Sequence, residues 1–249
     1  EPSILGLAEV MDYPAILNGE DHILNKIKLA QANNMKIDGH GAGLNSAQIR
    51  GYRAAGIETD HECVTAEEAM DRIEQGMYVL IREGSAAKNL KALIPAINAA
   101  NARRFAFCTD DKHIDELLEE GSINNSVAMA IAEGVEPLQA IQIATLNAAE
   151  CYQLKNKGAL AAGFIADVVL VDDVTKMNAT TVLKDGQVVA KDGAMCTAPA
   201  HTTEPKHTIL HSVHIPKIEK SQLEILFKHG NLANIIEIMP DQITTKKKV

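Results

Sequence analysis

Between Ile4 and Cys108, five short apolar runs alternate with longer stretches of helical periodicity. The runs are Ile4–Val10, Met35–Asp38, Ile57–Thr59, Met77–Ile81 and Phe105–Cys108. Amphipathic segments at His22–Asn33, Ser46–Ala55, Ala66–Gln75 and Ala86–Ala99 follow the first four, and Thr65 with Glu68 forms a capping box for the third. The runs begin about 20 to 30 residues apart. Apolar runs that alternate with helices at this spacing predict βα units around a parallel sheet.

Further helical patches are expected at Ile114–Glu119, Ser126–Ala132 and Pro137–Ala149. The period then changes. Ala166–Val171 and Thr181–Val189 read as strands, the latter folded back at Lys184-Asp185-Gly186, so a small β layer is expected over about 157 to 195. Met195–Lys206 is turn-rich and reads as a linker. Beyond it, a strand is expected at Ile209–Ile215, a short helix at Ser221–Phe227 and a strand at Ile235–Ile238. Three units result: 1–150, 151–200 and 201–249.

The formal charge of −9 argues against a nucleic-acid footprint, which needs basic stripes. The one basic run, Lys246-Lys247-Lys248, reads as a solvated tail. Cys63, Cys108, Cys151 and Cys196 lie far apart with no CxxC, which argues for a reducing, cytoplasmic compartment. It also removes the deaminases whose zinc is held by PCxxC. No apolar run approaches the length of a membrane span.

Chemistry gathers where the expected strands end. The first ends in Ala8-Glu9, the second in Gly39-His40-Gly41, the third in Thr59-Asp60-His61-Glu62 and the fifth in Thr109-Asp110-Asp111. Active sites of α/β barrels lie at the carboxyl ends of the strands. Two histidines with two carboxylates make a mixed nitrogen and oxygen set that suits Zn, Mn or Fe(II). Each residue also has a plainer reading. Glu9 could be an edge charge, His40 a turn residue, His61 a surface-loop residue, and Asp110-Asp111 helix caps. Their shared position favours a site. His113 follows the aspartates closely enough to reach it. His22 and His229 read as exposed, and His201 and His207 as linker residues. His211 and His214 fall on opposite faces of an expected strand. The glycines of GHGAG do not have dinucleotide-fingerprint spacing.

LAEVMDYPAILNG, IDGHGAGL, TDHECVTAEEA, FCTDDKH and ATLNAAECYQL, in this order, resemble the adenine deaminases of the amidohydrolase superfamily over nearly the whole chain. The resemblance implies a partial TIM-type (β/α)8 barrel, strands four to eight, with part of a small β-sandwich and the start of a C-terminal α+β domain. It implies a binuclear divalent metal centre of Mn, Fe or Zn. Glu9 would bridge the two ions, His40 and His61 would bind the second, and Asp110, chosen over Asp111 because it directly ends its strand, would bind the first and handle the proton. Glu62 is the weaker choice for the proton. The implied reaction converts adenine to hypoxanthine and ammonia, and the glycines beside His40 would leave room for a flat substrate. A small-molecule substrate and a homo-oligomeric whole protein, without nucleic acid or membrane, complete the implied picture. Another nucleobase or cyclic amide as substrate, or a binding protein without catalysis, are the competing readings.

One departure stands out. The family's first metal also takes a His-x-His pair from the first barrel strand, and no HxH occurs here. Five βα units cannot close a barrel. With Glu1 rather than methionine at the start, a fragment beginning at the fourth barrel strand is the expectation.

Overall fold

The computed structural model describes residues 4–196, 212–225, 232–242 and 244–249. Five parallel strands carry its larger part: β1 (Gly6–Val10), β2 (Lys36–Gly39), β3 (Thr59–Asp60), β4 (Tyr78–Arg82) and β5 (Phe105–Cys108). β1 pairs with β2, and β3, β4 and β5 pair in that order, all parallel. The Glu58 N–H donates to the Ile37 carbonyl at 3.0 Å, so β3 lies beside β2 and the strands follow chain order. All five expected strands are present.

Helices fill the connections. α1 (Tyr13–Leu17) and α2 (Asp21–Ala32) follow β1, α3 (Ser46–Ala54) follows β2, and α4 (Ala66–Glu74) follows β3. The short α1 is an addition to the sequence reading. Asp12 caps it by accepting from the Ala15 N–H, and Pro14 sits in its first turn, where no N–H is needed. The Thr65 side chain accepts from the Glu68 N–H, as the capping box requires. Glu68 instead reaches past Thr65 to the Val64 N–H at 2.7 Å.

Two expected helices are corrected. Over Ala86–Ala99 only α5 (Leu90–Leu93) and one 3-10 turn (Ile94–Ala96) form. The start of that stretch is held as a loop by Asp111, and Pro95 forces the chain out of regular helix. Pro137–Ala149 divides into α8 (Pro137–Ala144) and α9 (Leu146–Cys151), after α6 (Ile114–Glu119) and α7 (Ile123–Ala132). At the break the Thr145 hydroxyl bonds back to the Ile141 carbonyl. The buried Asn147 amide donates to the carbonyls of Ala102 and Phe105, which ties α9 to the entry of β5.

Two apolar clusters seat the strands. Val79, Ile81, Phe105 and Phe107 pack with Leu90, Leu93, Val127, Ala140 and Ile143. Ile37 and Ile57 pack with Ile23, Ile27, Ile49 and Tyr52. β4 and β5 are buried along nearly their whole length, as parallel strands covered on both faces must be.

β6 (Val168–Val171), β7 (Ala179–Lys184), β8 (Gln187–Lys191) and β9 (Ala194–Met195) make the expected small antiparallel layer. Asp185 and Gly186 both have positive φ, the backbone a two-residue hairpin turn needs. β10 (Ile235–Ile238) pairs antiparallel with β11 (Thr245–Lys248). The lysine run is therefore a strand and not a tail, with Lys248 paired to Glu237 at 2.9 Å. The expected strand at Ile209–Ile215 lies partly outside the described residues, and Ser212–Ile215 form no strand. The expected helix at Ser221–Phe227 is a 3-10 turn at Lys220–Leu223, with its last two residues outside the described ones. That turn is exposed, Leu223 included, so little packing supports a longer helix. Among the described residues, no helix is long and apolar enough to cross a membrane.

Candidate metal centre

Side chains from three neighbouring strand ends converge. On β1, Leu7 is level with Ile37 and Val10 with Gly39, so Ala8 and Glu9 together oppose Asp38 alone. Such a bulge breaks the alternation of side chains. Ala8 and Glu9 are both exposed, and Glu9 reaches across the end of β2. His40 follows β2 directly. Its main-chain N–H donates to the Tyr52 hydroxyl at 2.9 Å, and that hydroxyl donates to the Val10 carbonyl. Tyr52 on α3 thus fastens the end of β2 to the end of β1.

His61 follows β3. The preceding residue, Asp60, is fully buried and organises the turn. Its carboxylate accepts from the N–H groups of Gly41 and Glu62 and from Arg72 Nε on α4, all at 2.9 to 3.0 Å. Arg72 in turn donates to the carbonyls of Gly41 and Leu44.

One oxygen of Glu9 lies 3.0 Å from His61 Nε2 and 3.4 Å from His40 Nδ1. The two imidazoles meet edge to face with centroids 5.4 Å apart. One donor atom from each of the three residues falls within 4.8 Å of the others. His40 Nδ1 is buried and has no hydrogen-bond partner among the described residues. A buried ring nitrogen left bare, beside a second imidazole and a carboxylate, fits a divalent ion with mixed nitrogen and oxygen ligands.

Two more carboxylates approach from one side. Glu62 is buried, 3.3 Å from His61 Nε2 and 3.6 Å from His40 Nδ1. Burial pushes its carboxyl up, but contact with His61 and Arg82 outweighs that and holds it below its ordinary value. Asp110, after β5, places Oδ1 4.0 Å from His61 Nε2. Its backbone has φ of +52°, a conformation L residues seldom adopt, which turns the chain sharply at the strand end. Asp111 faces elsewhere, accepting from the N–H groups of Ser85 and Ala86. Neither aspartate caps the following helix through its side chain. His113 is exposed and donates its main-chain N–H to Ser85. His22 and His214 are exposed, while His201, His207, His211 and His229 lie outside the described residues.

Two of the glycines around His40 are places of close packing. A Cβ on Gly39 would lie 2.2 Å from the Thr59 carbonyl oxygen, and one on Gly41 2.6 Å from Asp60 Oδ2. They let β2 and its turn press against β3. Only Gly43 needs its conformational freedom, with φ of +69°.

The sequence reading left the end of β4 blank. The structure fills it with Arg82, whose Nη1 donates to Glu62 and, at 3.2 Å, to Asp110 Oδ2. The signal that marks it in the sequence is a basic residue closing the apolar run Tyr78–Ile81. Tyr52 and Arg72 were missed because each looks like an ordinary helix residue in sequence.

A site at the carboxyl ends of parallel strands, with histidines and carboxylates as its donors, defines a class, and comparison with known proteins agrees. The sequence profile described as the amidohydrolase family matches residues 1–189, so the chain belongs to that family. Curated relatives include proteins named adenine deaminase. The one from Lysinibacillus sphaericus (strain C3-41) is 62% identical over 246 residues, which is 99% of this chain and 42% of that protein. Those from Halalkalibacterium halodurans and Bacillus subtilis (strain 168) are 49% and 45% identical, each over 99% of this chain and 42% and 43% of theirs. The chain thus spans less than half the length of these relatives. Among solved structures, a beta-aspartyl dipeptidase from Fervidobacterium islandicum AW-1 aligns with a TM-score of 0.59 at 16% identity, over 79% of this chain and 60% of that one. An N-acetyl-D-glucosamine-6-phosphate deacetylase from Mycobacterium smegmatis aligns with 0.57 at 18% identity, over 73% and 54%. At these identities the likeness speaks to fold alone.

Proposed function

We propose that the protein carrying this chain is a metal-dependent hydrolase that converts adenine and water to hypoxanthine and ammonia. The observation that carries the metal centre is the convergence of Glu9, His40 and His61 from three adjacent strand ends. The adenine deaminases at 45 to 62% identity carry the choice of substrate.

In this reading β1 to β5 are strands four to eight of a (β/α)8 barrel, supported by their shared direction and chain order. Residues 1–150 form the barrel portion, 151–200 a β-sandwich segment and 201–249 the start of a C-terminal domain. Glu9, His40, His61 and Asp110 would supply this chain's share of the ligands to a binuclear centre of Mn, Fe or Zn, the His-x-His pair of the first metal being absent from this sequence. Such ions make hydroxide available at neutral pH by acidifying water. Asp110 takes the proton at Oδ1 and passes it toward the ring nitrogen and the departing amine, while a C–O bond forms and the exocyclic C–N bond breaks. Glu62, ionised and buried, balances the imidazoles and is the second choice for that proton. The substrate is a small molecule, and the whole protein is a cytoplasmic homo-oligomer active in purine metabolism, without nucleic-acid or membrane partners.

The test is turnover by the whole protein loaded with Mn, Fe or Zn, offered adenine, cytosine or dihydroorotate. Consumption of adenine alone, with hypoxanthine and ammonia formed and turnover abolished by chelation, is the expected result. Preference for either other substrate would overturn the adenine assignment, and full activity after metal removal would overturn the metal centre.

A further inference from the structure

Arg82 is an unusual residue to find beneath a cluster of metal ligands. Its side chain is 3% exposed, at the carboxyl end of β4. Nη1 alone serves both Glu62 and Asp110, while Nε and Nη2 are buried without hydrogen-bond partners among the described residues. A guanidinium added for stability alone would be expected to spend its donors, because buried polar groups left unpaired are costly. Here the spent donor points only at the two carboxylates.

The consequence lies in how Asp110 divides its oxygens. Oδ2 accepts from Arg82 at 3.2 Å, which leaves Oδ1 facing His61 Nε2 at 4.0 Å. Asp110 is also 39% exposed and sits on a strained turn, so little else fixes its carboxylate. Asp111, by contrast, has both oxygens occupied by backbone N–H groups.

We propose that Arg82 is a positioning residue: it holds Asp110 by one oxygen so that the other is presented to the metal, and holds Glu62 beside the imidazoles. The inference rests on the metal centre proposed above. It assigns the end of β4 a role that the ligand set does not include. Partners that orient metal ligands typically contribute about 10- to 100-fold to metal affinity.

The experiment is a chelator-competition titration of Mn²⁺ or Zn²⁺ into the whole protein carrying this chain, for wild type, Arg82→Lys and Arg82→Met. Thermal melts of the metal-free proteins run alongside. We expect Arg82→Met to lose roughly 10- to 100-fold in affinity. Arg82→Lys, which keeps one charged donor within reach, should recover most of that loss at an unchanged melting temperature. Should Arg82→Met fail to fold because Glu62 is left unpaired, Arg82→Met with Glu62→Gln buries no lone charge and still frees Asp110. It should show the same loss relative to Glu62→Gln alone. Equal affinity with and without Arg82 overturns the positioning role while leaving the metal centre intact. A wild type that binds neither ion overturns the metal centre and the inference together.

Discussion

Asp60 and Arg72 meet at 2.9 Å with both side chains wholly shielded from solvent, one at the end of β3 and the other on α4. The same carboxylate accepts from the backbone of the turns that carry His40 and Glu62. Removing one member of a buried pair strands the other charge, at a cost of about 3–5 kcal/mol. Asp60→Asn and Arg72→Met should each lower unfolding stability in urea by about that much. The double variant should lose less than the sum, and simple additivity would show that the two are not coupled.

Gly41→Ala tests the same turn by steric means. The new Cβ would lie 2.6 Å from Asp60 Oδ2, an atom that Arg72 prevents from swinging away. The His40 backbone must yield instead. A loss of about 1–3 kcal/mol is expected from such overpacking, together with weaker metal binding in a chelator titration. Unchanged metal affinity would show that the turn is softer than its packing implies.

Tyr52→Phe removes the hydroxyl that links the His40 N–H to the Val10 carbonyl. Leaving these two groups without their partner should cost about 1–3 kcal/mol. In a crystal structure of the variant, the ends of β1 and β2 should move apart. If they stay in place, another contact sets their spacing.

Asp110 and Asp111 are adjacent in sequence and opposite in employment. Asp110→Asn should weaken metal binding with little change in melting temperature, because its carboxylate is half exposed. Asp111→Asn should loosen the backbone at Ser85 and Ala86, seen as faster amide hydrogen exchange there, with metal binding largely kept. The reverse pattern would reassign the ligand.

A pH prediction comes from the small β layer. The Lys157 ammonium, the Asp185 N–H and the Lys184 ammonium hold the Asp167 carboxyl well below its ordinary value near 3.8. A depressed carboxyl contributes stability above its unfolded value and loses that contribution as pH falls through the folded one. The melting-temperature gap between wild type and Asp167→Asn should therefore be constant above about pH 5 and shrink steadily below pH 4. A gap independent of pH would mean that these contacts do not stabilise the ionised form.

Much of the site was legible because strand ends were. Short apolar runs located β1 to β5, and the residues at or just past their carboxyl ends supplied Glu9, His40, His61, Glu62 and Asp110. What sequence spacing does not carry is contact between elements. Nothing local marks Tyr52 as the partner of the His40 backbone, or Arg72 as the counterion of Asp60. Those depend on how α3 and α4 pack over the strand ends. Gly39 and Gly41 misled for a related reason: their small size serves β3, a neighbour that only the fold reveals. Boundaries failed where side chains capture the backbone, as Thr145 does between α8 and α9.

The extra residue in β1 sets the phase of the strand. With Ala8 and Glu9 both set against Asp38, the strand changes phase between Leu7, which packs inward against the core, and Glu9, which joins the imidazoles. Loss of the Ala8 codon would give a regular ladder with Glu9 opposite Asp38. Adjacent strand residues point to opposite faces, so Leu7 would keep its place in the core and Glu9 its place beside the imidazoles. The bulge marks Ala8 as the position where the strand can lose a residue and keep both faces.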